Sequence, residues 1–208
     1  MAGLPQGCNV LLSSLDEAKR FGTVVMNEAT RKADPELEVI FAPEAIARRL
    51  HELAQEIADA RLENLLVVAI LKGSFVFAAD LIRAMHNVGL APEVDFMTLS
   101  SYKKARISSG QVSILRDMDL DVRGRNVLVI DDVLDSGRTL AFAKDLLAAR
   151  GATTIRTCVL LDKQLPRAVT LEPDYYAFLC PNEFVVGYGM DVAHRYRELP
   201  FVGRVVRP

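Results

Sequence analysis

Cysteine is scarce in this chain: 208 residues hold only Cys8, Cys158 and Cys180, with no CxxC pair and no histidine at ligand spacing. That pattern excludes a disulfide framework and a zinc site, and it leads to the expectation of a reducing cytoplasm. An excess of positive charge is missing too. The 25 lysines and arginines face 27 acids, a formal net charge of −2, which excludes the basic surface of a nucleic-acid binder. Every apolar run stops well short of the ~20 residues a membrane helix needs. The opening stretch MAGLPQGCNVLLSSLDEAKR lacks the lysine- or arginine-led pattern of a secretion signal. Internal repeats and low-complexity tracts are absent. Apolar residues are plentiful instead, at 50 % of the chain, enough for one well-buried domain.

Those apolar residues alternate between two periods. Short continuous runs predict strands over 65–71, 94–100, 112–115, 127–130, 154–161 and 175–179, and helical spacing predicts helices over 43–60, 75–87 and 139–149. The first helix carries Ile46, Leu50, Leu53 and Ile57 on one stripe, with Pro43 in its first turn and Glu44 near its positive end. The second turns Phe75, Phe77, Ala78, Leu81 and Ile82 inward. Strand-helix-strand order predicts an α/β fold, with a mostly parallel sheet flanked by helices and joined by right-handed crossovers.

The most informative stretch is VLVIDDVLDSGRTL, residues 127–140. A buried strand gives way to acids, glycine and hydroxyls, and helical spacing resumes at once, so a loop over 131–138 joins a strand end to a helix start. Helix starts bind anions, because their first backbone N–H groups lack partners and the peptide dipoles leave partial positive charge there. Gly137 admits close backbone approach, Ser136 and Thr139 offer hydroxyls, and Arg138 adds charge. Asp131, Asp132 and Asp135 would repel a phosphate dianion, so they need a different job. Hydrogen-bonding ribose hydroxyls, sharing Mg²⁺ or accepting a proton each suits a carboxylate here. A capped loop of a generic Rossmann-like domain has no use for three acids beside SGRT.

The stretch resembles the phosphoribosyl-diphosphate (PRPP) signature of the type I phosphoribosyltransferases. That signature is shared by purine, orotate and uracil enzymes and by some transcriptional regulators, so it does not name an acceptor base. Other segments narrow the choice. Lys72 and Gly73 follow the strand at 65–71, where the carboxyl end of a parallel strand meets the binding crevice, and can face a diphosphate. Ser101 and Tyr102 open a polar stretch, 103–110, that resembles the mobile loop of the hypoxanthine-guanine enzymes and is suited to act as a lid. Lys163 and NEFVVGYGMD, with Phe184, Val185 and Asp191, resemble their purine pocket. There an ammonium takes the 6-oxo group and an aromatic ring stacks on the base. Arg197 matches the family's second diphosphate-binding cation.

The resemblance spans roughly 39–206 and is strongest to the bacterial hypoxanthine-guanine phosphoribosyltransferases. It implies purine salvage: Mg²⁺-dependent transfer of a phosphoribosyl group from PRPP to N9 of hypoxanthine or guanine. Asp135 is the implied general base, and Asp191, Asp131 and Asp132 are the implied Mg²⁺ acids, directly or through water. Further implications are a type I fold with a small hood lobe, a cytoplasmic enzyme, small-molecule substrates rather than nucleic acid or membrane, and a homodimer or homotetramer. The single domain is expected over 39–208, its hood drawn mainly from 162–208 plus some N-terminal chain, while 1–38 has no assigned role. Departures are mild: Asp131 stands where this branch more often has glutamate, and Ser136 where threonine is usual. Two rivals remain. A PRPP-binding regulator would need a DNA-binding appendage, and a pyrimidine enzyme would not be expected to pair Lys163 with NEFVVGYGMD.

Overall fold

The run LLVVAIL has no polar side chain for solvent to hold, and it becomes a central strand buried on both faces. In the computed structural model, which describes residues 36–101 and 112–207, it is β2 (Leu65–Leu71). The remaining elements are β1 (Glu36–Phe41), α1 (Pro43–Asp59), α2 (Phe75–Asn87), β3 (Glu93–Ser101), β4 (Val112–Arg116) and β5 (Asn126–Leu134). They continue with α3 (Arg138–Ala149), β6 (Thr154–Lys163), β7 (Tyr175–Cys180), β8 (Val185–Val186) and β9 (Val202–Arg207).

Six strands form the main sheet in the order β4-β3-β2-β5-β6-β7. Neighbours pair in parallel except at the edge, where β4 runs antiparallel to β3. Because successive strand residues face opposite sides, Leu65, Val67 and Ala69 pack with α1 and α2, whereas Leu66, Val68 and Ile70 pack with α3. The α1 stripe Ile46, Leu50, Leu53 and Ile57 is fully buried against the first face. Each such side chain contributes about 1.5–3 kcal/mol. On α3, Leu140, Ala143 and Leu147 do the same on the second face.

The predicted elements are all present, and three features differ from expectation. Phe75 is 43 % exposed rather than inward, because the first turn of α2 carries it into a groove beside the sheet instead of onto it. β5 continues through Leu134, so the predicted loop over 131–138 shrinks to 135–137, with α3 starting at Arg138. Strands β1, β8 and β9, too short or too polar to stand out by period, form a separate antiparallel sheet in the order β1-β9-β8, the hood of the fold. Among the described residues no helix is long and apolar enough to cross a membrane.

Candidate active site

The carboxyl ends of β2, β5 and β6 meet at one rim of the sheet, the place where open parallel sheets form a crevice. A pocket of about 430 Å³ opens there, lined by Lys72, Gly73, Asp131, Asp132, Asp135, Ser136, Gly137, Thr139, Lys163, Phe184, Val185 and Asp191. Residues chosen from four separate stretches of sequence are thereby brought to one cavity.

Asp131 and Asp132 stand on strand β5 itself. β5 stays paired to β6 through Asp131↔Val159 and Val133↔Leu161, while its pairing with β2 stops at Ala69↔Ile130. One edge of β5 is therefore free where the two acids lie. Asp131 is only 7 % exposed. Its Oδ1 accepts the Asp132 N–H at 3.0 Å, and Asp132 Oδ1 accepts the Val133 N–H at 2.9 Å. Burial, and then the neighbouring Asp132 charge, push the Asp131 carboxyl well above the usual carboxylate range. Burial raises Asp132 as well, against the lowering pull of its hydrogen bonds and of Arg197.

The loop after β2 fits tightly against this pair. A Cβ built on Gly73 would overlap Asp132 Oδ2, so glycine is what lets the loop reach the carboxylate. The peptide bond between Leu71 and Lys72 is cis. Ser74, fully buried, donates its hydroxyl to the Ile70 carbonyl at 2.5 Å and fixes the turn into α2. At the other loop, Gly137 has φ +78°, and a Cβ there would lie 2.7 Å from the Val169 carbonyl oxygen. The first helical bond of α3 runs from Ala141 N–H to the Gly137 carbonyl at 2.9 Å, so the amides before Ala141 have no intrahelical partner beside the pocket.

Four predicted residues stand apart. Arg138 opens α3 without lining the cavity. Arg197 lines an adjacent groove and reaches the site through Asp191, with Nη2 2.6 Å from Asp191 Oδ1. Ser101 ends β3, and Tyr102 with the stretch 103–110 lies outside the described residues. On the opposite wall, Lys163 ends β6 and points its Nζ to 3.9 Å from Asp135 Oδ2, while Phe184 is 58 % exposed and leaves a flat face free.

Sequence reasoning missed the clamp behind Lys163. Arg167 ion-pairs with buried Asp162 and donates to the Lys163 carbonyl at 3.0 Å and to the Leu171 carbonyl at 2.7 Å, holding the chain where it leaves β6. In sequence the pair reads as an ordinary acid and base flanking a proline.

Among the described residues no group of three or more acids, histidines or cysteines is placed to cage a metal. Asp131 and Asp132 nevertheless fit Mg²⁺ as a donor set: two adjacent carboxylates, Asp131 buried and Asp132 half-buried, both made harder to ionise by desolvation and Asp131 also by the Asp132 charge, of the hard oxygen type this ion takes one or two at a time alongside substrate oxygens and water. Asp191 is engaged by Arg197 and by the His194 N–H at 2.8 Å.

Comparison with known proteins agrees with this geometry. Residues 37–193 match the phosphoribosyl transferase domain family. The chain is 40 % identical over 173 residues to the hypoxanthine phosphoribosyltransferase of Escherichia coli K12, covering 82 % of this chain and 96 % of that protein. It is 42 % identical over 172 residues to the bifunctional protein TilS/HprT of Listeria innocua, covering 82 % of this chain but spanning only 26 % of that longer relative. A solved hypoxanthine-guanine phosphoribosyltransferase from Bacillus anthracis superposes with TM-score 0.75 at 40 % identity, over 83 % of this chain and 100 % of that one.

Proposed function

The chain belongs to the phosphoribosyltransferase family, and on that premise we propose that it salvages 6-oxopurines, moving the 5-phosphoribosyl group of PRPP to N9 of hypoxanthine or guanine and releasing diphosphate. The observation that carries the reading is the shared cavity. Anion-binding backbone at the start of α3, the buried Asp131 and half-buried Asp132 on β5, and the Lys163–Phe184 wall line one space of about 430 Å³.

In this reading the 5′-phosphate sits on the first-turn amides of α3, with the hydroxyls of Ser136 and Thr139 donating to it. Asp131 and Asp132 accept the ribose hydroxyls. Lys72 and Gly73 meet the diphosphate with Arg197, and Ser101 and Tyr102 are proposed to close over it. Mg²⁺, bound through Asp131, Asp132 and Asp191 directly or through water, would neutralise charge on the departing diphosphate. Lys163 takes the 6-oxo group, Phe184 stacks on the ring, and backbone groups at Val185 and Asp191 read the purine edge. As N9 bonds to C1 and the C1–diphosphate bond breaks, Asp135 accepts the N7 proton, which keeps the purine from becoming cationic. Holding both reactants in line contributes more than the proton transfer, because preorganised geometry removes ~7–11 kcal/mol of barrier.

The domain is proposed to begin near residue 39, to act as a homodimer or homotetramer, and to work in the cytoplasm. The test mixes the full chain with PRPP, Mg²⁺ and, separately, hypoxanthine, guanine, xanthine, adenine and uracil, following nucleotide by absorbance. Turnover with hypoxanthine or guanine supports the reading. Turnover with uracil alone marks a pyrimidine enzyme, and PRPP binding without turnover marks a regulator; either overturns it.

A further inference from the structure

The segment GYGMD folds in an unusual way for a stretch that carries a site residue. Gly187, Tyr188 and Gly189 all have positive φ, at +93°, +49° and +99°. Tyr188 is the one among them with a side chain to hold in the left-handed region, which a bulky residue seldom adopts without compensation. The compensation is visible. Its ring is buried to 6 % exposure, and its hydroxyl donates to Asp80 Oδ2 on α2 at 2.6 Å.

The consequences run straight to the pocket. Tyr188 N–H donates to the Leu199 carbonyl at 2.9 Å and Gly189 N–H to the Arg197 carbonyl at 3.0 Å. Arg197 returns a bond from Nη1 to the Gly189 carbonyl at 2.6 Å and grips Asp191 with Nη2. Gly189 itself abuts the Gly73 carbonyl. Asp80 sits on the helix that begins at Phe75, directly after the Lys72–Gly73 loop, and it also pairs with Arg83 on the same helix. Hood segment and sheet therefore meet on the proposed diphosphate side of the cavity, joined there by one half-buried side-chain hydrogen bond and one close backbone approach.

We propose that Tyr188 and Asp80 are positioning residues, a latch that sets the hood segment bearing Asp191 and Arg197 against the Lys72–Gly73 loop. The inference rests on the reading of this pocket as the PRPP site, and it assigns work to two residues outside the cavity lining. Neither touches substrate. Burial, and then the bond to Asp80, raise the Tyr188 hydroxyl far above the ordinary phenol range, so it remains a donor at every pH the enzyme meets.

Tyr188→Phe removes one oxygen and leaves Asp80 its Arg83 partner and partial solvent access. The expected result is a KM for PRPP raised about tenfold or more, with the KM for hypoxanthine moved less than about threefold, because the shift falls chiefly on Arg197 and on the Gly73–Gly189 approach, while Lys163 and Phe184, proposed to hold the base, lie outside the latched segment. Asp80→Ala gives the same split, Asp80→Asn a smaller one since an amide oxygen still accepts, and Tyr188→Phe in the Asp80→Ala background adds nothing. Hydrogen exchange on the full chain supplies a readout independent of turnover: the amides of Tyr188 and Gly189 exchange faster in Tyr188→Phe while those of β2 and β5 keep parental protection. Parental PRPP kinetics and parental exchange in Tyr188→Phe overturn the latch, as does a double variant whose loss is the product of the single ones. If the parent protein shows no turnover with PRPP, the functional reading falls, and the exchange comparison alone decides for or against the latch.

Discussion

Lys163 Nζ stands 3.9 Å from Asp135 Oδ2, a cation on the proposed purine wall facing the acid proposed to take the purine proton. Lys163 is the more enclosed partner, its side chain 11 % exposed against 52 % for Asp135. A pair this long and half in solvent contributes little to stability. Its meaning is geometric: whatever Lys163 binds is held within reach of Asp135.

Asp135→Asn keeps the shape of the pocket and removes the proposed proton acceptor. kcat is expected to fall roughly 10²- to 10⁴-fold while PRPP affinity is largely retained. Steady-state kinetics with PRPP and hypoxanthine check this, and an unchanged kcat removes Asp135 from proton transfer.

Lys163→Ala acts on the other partner. Losing the proposed charge-assisted hydrogen bond to the 6-oxo group is expected to raise the KM for hypoxanthine about 10- to 100-fold. Adenine, which has no 6-oxo acceptor, provides the control in a competition assay. If its weak binding drops by the same factor, Lys163 does not read the oxygen.

The sequence made the central sheet easy to read, because β2 and the start of β5 are unbroken apolar runs buried on both faces. It also placed the pocket acids, since their chemistry conflicts with a plain phosphate loop. It misjudged where β5 ends: a strand paired on one side only can carry polar residues on the free edge, and no periodicity marks that. The hood strands were invisible for a related reason. β8 is two residues long, and β1 alternates poorly because it pairs only with β9. Arg167–Asp162 and Tyr188–Asp80 are contacts that only tertiary structure creates, the second across 108 residues.

Asp131 gives a pH prediction of definite sign. The folded chain holds the Asp131 proton to higher pH than the unfolded chain does, chiefly through burial. The folded state thus binds more protons between about pH 4 and the raised value, and this residue's effect on stability becomes less favourable as pH climbs through that window. Asp131→Asn keeps an oxygen for the Asp132 N–H and removes the charge. Its Tm is expected to exceed the parent's by about 2–6 °C at pH 7.5, with the gain vanishing near pH 4. The same variant should use PRPP poorly. A Tm difference that is flat across pH would show that the Asp131 charge is not the cause.

Gly73 and Gly137 line the same pocket, yet alanine at each should fail in a different way. At Gly137 the backbone is left-handed and the new methyl meets the Val169 carbonyl at 2.7 Å, so both strain and a backbone clash oppose it. Together they destabilise by about 1–3 kcal/mol, a Tm loss of roughly 2–4 °C per kcal/mol for a chain of this size. At Gly73 the backbone is not left-handed, and the obstacle is the Asp132 carboxylate rather than main chain. The methyl can displace that carboxylate at little expense to the fold. Moving it takes away the proposed ribose contact, and misplacement of this kind is expected to lower kcat/KM for PRPP by about 10²-fold. Thermal melts and PRPP kinetics on the two variants should therefore separate: Gly137→Ala loses Tm, whereas Gly73→Ala keeps Tm and loses catalysis. Equal Tm losses at both positions would mean that the Asp132 side chain cannot yield, and that Gly73 serves folding rather than the approach to a ligand-binding carboxylate.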